Sequence, residues 1–401
     1  MPNRSNTLTK KDVARRVAEI MDEPIYKSEP WVNAVNYYVE LMNNYGPPGV
    51  SSNGHNENRA LFASGNCATW VDATSAAGYI FNPSESRVAD TTGFAPGDPP
   101  RTPADLTVLA EAVLERAVLE LHPEVPFAVV ALGRFAGEEL AYASDLDLVF
   151  VHEAKTSPER SEAMRLAVGV LRFVGGATGA QRIYAVDTNL RPEGRDGPLT
   201  RSLDGYTTYF ARWAHVWERQ AMARARPVAG DRELGDRFAG VVADAVWGRP
   251  FTADDEREVR RLKARIERER IPAGEDPEFH LKLGRGSLSD VEWTAQLLQL
   301  RTGIREPGTM AALAALQGDG ALTAGDADVL GSAYRFCEFV RNRWYLVGNS
   351  PPHVDALPQR PGALDRLARS LGTTPAQLRA DYRRVTRRSR RVVERLFYGS
   401  T

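Results

Sequence analysis

Two aspartates, Asp145 and Asp147, open an apolar run within FAVVALGRFAGEELAYASDLDLVFVHE, residues 127–153. Side chains in a strand alternate faces, so both carboxylates point the same way, roughly 6–7 Å apart along the backbone, with Leu146 and Leu148 opposite. Like charges converging to about 4 Å repel by roughly 4 kcal/mol at an intermediate dielectric. A divalent cation removes that cost, and Mg²⁺ is commonly held by one or two carboxylates plus substrate phosphates. A third carboxylate, Asp187, ends the stretch QRIYAVD. Three carboxylates can hold two Mg²⁺ about 3.5–4 Å apart, stabilising the attacking and leaving oxygens of a phosphoryl displacement. In that chemistry Asp145 and Asp147 hold both ions, while Asp187 binds the one nearer the nucleophile and helps remove its proton. Near Gly133 the backbone can approach triphosphate oxygens without a Cβ, and Arg134 offers charge. Ser144, just before the pair, joins this nucleotide-facing set, and Arg191, Gly194 and Gly197, with Arg195, offer a second phosphate-facing loop. An Asp-x-Asp by itself is equally a solvated strand end; the Gly turn before it and the strand-terminal Asp after it give the motif its weight.

The elements that must position these residues follow from periodicity. Thr102-Pro103 starts a helix with Leu106, Leu109, Val113, Ala117 and Leu121 at helical spacing, ended by His122-Pro123. Strands are expected at 127–132, 146–151 and 181–187, and a helix at 158–174 carrying Met164, Leu171 and Val174. After Ser202, a good N-cap, the chain reads as helical to its end, with helices over about 203–226, 231–247, 253–270, 287–302, 309–317, 325–347, 363–371 and 375–397. Strands first and helices afterwards predict an α/β domain followed by an all-α helical bundle. The expected division is 1–101, an N-terminal segment of partial or poorly ordered character, then 102–230 and 231–401. Within the first segment, helices are expected near 8–21 and 31–45.

Composition narrows the function classes. A net charge of -1 over 401 residues argues against bulk attraction to nucleic acid or anionic membrane. Cys67 and Cys337 make neither a disulfide framework nor a zinc-ligand spacing, which fits a reducing cytosol. No apolar stretch approaches the roughly 20 residues of a membrane-spanning helix, and no apolar h-region opens the chain. His152 and His215 are expected to pack or lie at the surface, without metal.

Four blocks carry a resemblance: ALGRFAGEELAYASDLDLVF, VDTNLRPEGRDGPLTRSLDGYTTYFARWAHVWERQAMARARPVAGD, REVRRLKARIERER and LKLGRGSLSDVEWTAQLLQL. From about Thr102 onward the chain resembles the glutamine synthetase adenylyltransferases, bifunctional enzymes with two homologous halves. The wording RRLKARIERERIP, GRGSLSDVEW and YRRVTRRSRRVVERLF is similar to the C-terminal, adenylylating half in its actinobacterial form. The resemblance implies a polymerase-β-like nucleotidyltransferase domain, Mg²⁺ as cofactor and a cytoplasmic location. It implies transfer of AMP from ATP to a tyrosine of glutamine synthetase, with glutamine and a PII-type signalling protein as candidate effectors. The phosphorolytic, deadenylylating activity of the other half, and an inactive binding protein of the same fold, stay open as alternatives. Ala136 and Ala143 stand where the family has glycines, so each must keep φ below zero or be strained, and Thr188-Asn189 replaces a more usual Leu-Arg. Residues 28–98 resemble a slice of the sugar-binding proteins of ABC transporters.

Other motifs have a plain reading beside a functional one. Glu218 and Gln220, in Trp217-Glu218-Arg219-Gln220, face either the nucleotide or the loop before them, unless the helix is simply structural with Trp213 and Trp217 in the core; Glu193 joins them as a supporting residue. Lys282 and Arg285 flank a glycine before a helix and are placed to meet an anion, unless Asp290 and Glu292 only pair with nearby arginines. The arginines of 383–395 read as the coat of a bundle helix whose buried stripe is Leu378, Tyr382, Val385, Ser389, Val392 and Leu396.

Overall fold

The computed structural model describes residues 103–176, 182–269, 271–272, 275–348 and 353–399, together with Ala60. The chain divides after Gly93, and the unit treated below is Phe94–Thr401. The helices expected near 8–21 and 31–45 and the resemblance at 28–98 lie outside the described residues, Ala60 aside.

The unit is mostly helical around one small mixed sheet. Strand β1, Phe127–Ala131, pairs antiparallel with β2, Leu146–His152, in the register Phe127↔His152 to Ala131↔Leu148. A later strand, β5 (Arg226–Gly230), pairs antiparallel with the other edge of β1, shifting register between Val129 and Val130. The free edge of β2 is shared by two short parallel strands. Its first residues pair with β3, Val186–Asp187, and its last with β4, Thr200–Ser202.

Both faces of the sheet are covered, which is why β1 and, beyond Asp147, β2 read as apolar runs. On one face Phe127, Val129, Ala131, Leu146, Leu148 and Phe150 pack against α1 (Pro103–Glu120) and α3 (Ser157–Gly175), α2 being the single turn Gly133–Ala136. On the other, Ala128, Val130, Val149 and Val151 meet α4 (Leu203–Arg212), α5 (Val216–Met222) and α6 (Arg232–Trp247). A separate core joins α8 (Leu288–Thr302), α9 (Thr309–Gly318), α10 (Ala324–Val347), α11 (Pro361–Ser370) and α12 (Pro375–Val393). Helix α7, Ala253–Glu269, contributes Val259 to it.

Several expectations change in detail. The helix expected over 203–226 is two helices and strand β5, because Trp213 ends α4 and Arg226-Pro227 enters the sheet. The strand expected at 181–187 is extended only at its last two residues. Helix α1 buries Thr107, Ala110, Leu114, Ala117 and Val118, and Leu109 is 55% exposed. The smaller residues lie against the sheet, so the stripe is rotated from the one drawn through the largest side chains. Met164 is exposed for the same reason, with Ala163, Leu166, Ala167, Val170 and Val174 facing inward on α3. Ser202 does cap α4, accepting the Gly205 N–H at 3.1 Å. Helix α12 buries Leu378, Tyr382, Ser389 and Val392 of the expected stripe, with Thr386 buried in place of Val385; Arg383 pairs outward with Glu278, whereas Arg390 turns in to the buried Asp290.

Candidate active site

Parallel pairing of β2 with β3 sets Asp147 directly beside Asp187. Asp145 immediately precedes β2, two residues from Asp147 and on the same side. The three carboxylates each offer an oxygen within 4.8 Å of the others. Burial pushes the Asp147 carboxyl up to about 7, with the charges of Asp145 and Asp187 adding to the rise and Lys282 opposing it. An oxygen-only donor set carrying converging negative charge fits a hard divalent cation such as Mg²⁺. Asp187 keeps its orientation by accepting the Asn189 N–H on Oδ1 at 2.7 Å.

Gly133 follows β1 at φ +55°, and a Cβ there would lie 2.2 Å from Asp147 Oδ2. Its bareness makes room first for the carboxylate. The Leu132 N–H donates to the Asp147 carbonyl at 2.9 Å, fixing the turn to the strand. Neither Ala136 nor Ala143 has positive φ; in this turn the left-handed position falls on Glu138, so the alanines are accommodated without that strain.

A cleft of ≈ 160 Å³ opens beside the carboxylates, lined by Gly133, Arg134, Ser144, Asp145, Asp147, Arg224, Lys282, Glu292, Gln296 and Arg341. A larger cavity, ≈ 500 Å³, lies around Trp344, His353 and Leu357, with none of the three aspartates in its wall. The chemistry belongs to the smaller one.

The other residues singled out from sequence divide between cleft and scaffold. Ser144 lines the cleft and accepts the Ala141 N–H on its hydroxyl at 3.0 Å. Arg134 also reaches the cleft, but its guanidinium is engaged by Glu292 at 3.0 Å, by the Tyr334 hydroxyl at 2.9 Å and by Glu338. Its charge joins the β1 turn to α8 and α10 instead of standing free for a phosphate. Arg191 staples its own loop, donating to the carbonyls of Thr188, Arg195 and Gly197. Gly194 takes φ +58°, and a Cβ on Gly197 would strike the Pro192 carbonyl at 2.1 Å, so both glycines serve the tightness of this loop. Glu193 accepts from Arg201 at 2.6 Å, and its N–H donates to Glu218 at 3.1 Å.

Buried Glu218 also accepts from the Tyr209 hydroxyl and the His215 N–H, each at 2.8 Å. Of the two directions open to it, Glu218 faces the loop. Trp213, expected in the core if that helix were only structural, is 58% exposed. Gln220 donates to Gln296 at 2.7 Å, which places it behind the cleft wall. Lys282 lines the cleft, whereas Arg285 is exposed and outside its lining. The anion at the start of α8 is Asp290 itself, which accepts from the Gly286 N–H at 2.7 Å, Lys263 at 2.6 Å and Arg390 at 2.8 Å. His152 accepts the Ala154 N–H on Nδ1.

Sequence reasoning passed over Arg224, Arg341 and Gln296, which lie far from the aspartates along the chain.

Comparison with known proteins adds a family. Residues 100–241 match the profile described as glutamate-ammonia ligase adenylyltransferase, and residues 258–398 that of GlnD PII-uridylyltransferase. The chain is similar to the bifunctional glutamine synthetase adenylyltransferase/adenylyl-removing enzyme of Streptomyces avermitilis, 43% identical over 328 residues, 79% of this chain and 32% of that one. The enzyme of the same name from Mycolicibacterium smegmatis is 36% identical over 412 residues, 96% of this chain and 41% of the relative. That from Leifsonia xyli is 41% identical over 293 residues, 71% and 29%. The chain thus spans 29–41% of these relatives' length. None of these matches supports the sugar-binding-protein resemblance of 28–98, and the M. smegmatis alignment, covering 96% of the chain, runs into that segment.

Proposed function

We propose that the chain, whose residues 100–241 match the glutamate-ammonia ligase adenylyltransferase profile, acts as a member of that family, and that its three-carboxylate site transfers AMP from MgATP to a tyrosine hydroxyl of glutamine synthetase, releasing pyrophosphate. The observation that carries this reading is the convergence of Asp145, Asp147 and Asp187 within 4.8 Å beside a cleft with basic walls. The sheet and its flanking helices fit a polymerase-β-like domain, which we extend past 230 to take in α6, since α6 packs on the sheet. We place the activity in the cytoplasm, where ATP and its protein acceptor are; no helix among the described residues is long and apolar enough to cross a membrane.

The acceptor's oxygen attacks the α-phosphorus in line, a phosphorus–oxygen bond forms, and the bond to the β-phosphate's bridging oxygen breaks. Mg²⁺, when bound, neutralises charge on the attacking and leaving oxygens. Asp147 on β2 and Asp145 just before it present their carboxylates together, and Gly133 leaves room for that of Asp147. Asp187 spends Oδ1 on Asn189 and keeps Oδ2 to receive the tyrosine proton. The test is incubation of the chain with unmodified glutamine synthetase and ATP labelled at the α-phosphate. Label on the synthetase, lost with Asp145→Asn, is the expected result. ADP release from adenylylated synthetase and phosphate, without forward labelling, would assign the opposite activity.

A further inference from the structure

Among the described residues, four cationic side chains line the cleft: Arg134, Arg224, Lys282 and Arg341. Three are committed. Arg134 is held by Glu292, Glu338 and Tyr334, Arg224 by Glu139 at 3.3 Å and Thr309 at 2.5 Å, and Arg341 by Asp355 at 2.5 Å. Lys282 is the exception. Its main chain is pinned: its N–H donates to His280 Nδ1 at 3.2 Å, and its carbonyl accepts the Ser289 N–H at 2.9 Å. The neighbouring Leu283 N–H donates to the same His280 nitrogen at 2.9 Å, and His280 Nε2 lies 2.9 Å from Glu275. The Lys282 ammonium, by contrast, makes no hydrogen bond or ion pair with any described residue.

A fixed backbone carrying a free ammonium is unusual inside a protein cleft, because a partly buried charge gains from pairing. Its field reaches Asp147, lowering that carboxyl's affinity for a proton, without direct contact. Lys282 lines the same cleft as Asp145 and Asp147, and a cation on that wall complements the charge of a polyphosphate. We infer that Lys282 is the polyphosphate-binding residue, its ammonium donating to the β- and γ-phosphate oxygens that depart as pyrophosphate. The inference rests on the nucleotidyl-transfer reading above. It gives the segment between α7 and α8 a contact with substrate, so the strand-borne carboxylates do not complete the site by themselves. Arg285, three residues on and exposed, has no such place.

Calorimetric titration of the full chain in Mg²⁺ tests this, using wild type, Lys282→Met and Lys282→Arg. Lys282→Met should bind MgATP and pyrophosphate about ten- to a hundredfold more weakly, the loss of one charge-assisted contact. Its affinity for AMP should stay within about twofold, and Lys282→Arg should recover most of the loss. Equal weakening for AMP and ATP would mean a structural role and overturn the inference, as would unchanged ATP binding by Lys282→Met. A wild-type chain that binds no MgATP removes the underlying reading as well, so the two failures are distinct.

Discussion

At Asp147 the structure concentrates negative charge that sequence spacing alone could only suggest. Its carboxyl, pushed from 3.8 to about 7, keeps its proton to a higher pH in the folded chain than in the unfolded one. Ionising it therefore costs folding free energy. The cost is absent below about pH 4, grows as pH rises and is complete above about pH 7, reaching on the order of 4 kcal/mol. Asp147→Asn should accordingly melt higher than wild type in EDTA at pH 8, with a gap that narrows towards pH 5, while AMP transfer is lost. Mg²⁺ should raise the melting temperature of wild type but not of the variant. A gap independent of pH would show that Asp147 is not the strained carboxylate. Gly133 gives the complementary case. A methyl at φ +55° and 2.2 Å from Asp147 Oδ2 must displace the carboxylate or the turn. Gly133→Ala should cost about 1–3 kcal/mol of stability in urea melts and abolish transfer.

Among the elements, those that sequence made legible are the ones whose own burial writes their pattern. Strands β1 and β2 are covered on both faces, so their apolar runs are unmistakable. Strands β4 and β5 were invisible for a physical reason. Thr200–Ser202 is three residues long, and Arg226-Pro227-Val228-Ala229-Gly230 is an edge strand with proline, glycine and no alternation. The three carboxylates could be read because each sits at a strand end; Arg224 and Arg341 could not, since their cleft exists only when distant segments meet. The loop from Thr188 to Leu199 shows the same limit. Its arginine and glycines suggested phosphate, but its stability depends on Glu218, which accepts from Glu193, Tyr209 and His215 at once. Glu218→Ala leaves those buried donors unpaired and should cost about 2–4 kcal/mol in chemical denaturation. Because that loop follows directly on Asp187, the variant should also lower kcat for transfer, and Glu218→Gln, which keeps one acceptor oxygen, should lose less of both.

On the scale of the whole unit, the sheet and the bundle are joined at Arg134. Burial works against its charge, yet Tyr334, Glu292 and Glu338 around it keep the guanidinium protonated more firmly than usual. Glu338 is itself pushed upward by burial, which Arg134 opposes, so the cluster depends on its one central cation. The joint fixes where α8 and α10 sit relative to the β1 turn, and the loop bearing Lys282 leads directly into α8. Removing a single partner from a buried ionic group costs more than replacing the whole group, because it strands the remaining charges. Arg134→Met should therefore destabilise the chain by about 3–5 kcal/mol in urea, and the triple variant Arg134→Met, Glu292→Gln, Glu338→Gln should recover most of that loss. Stability and activity should then separate. The triple variant regains the fold but lacks the ionic joint that sets the bundle's register against the carboxylates, so its KM for ATP should stay raised. If Arg134→Met unfolds within about 1 kcal/mol of wild type, the cluster is a surface-like pairing, and the register of sheet and bundle must come from their other contacts, the buried joint of Glu139 with Thr309 among them.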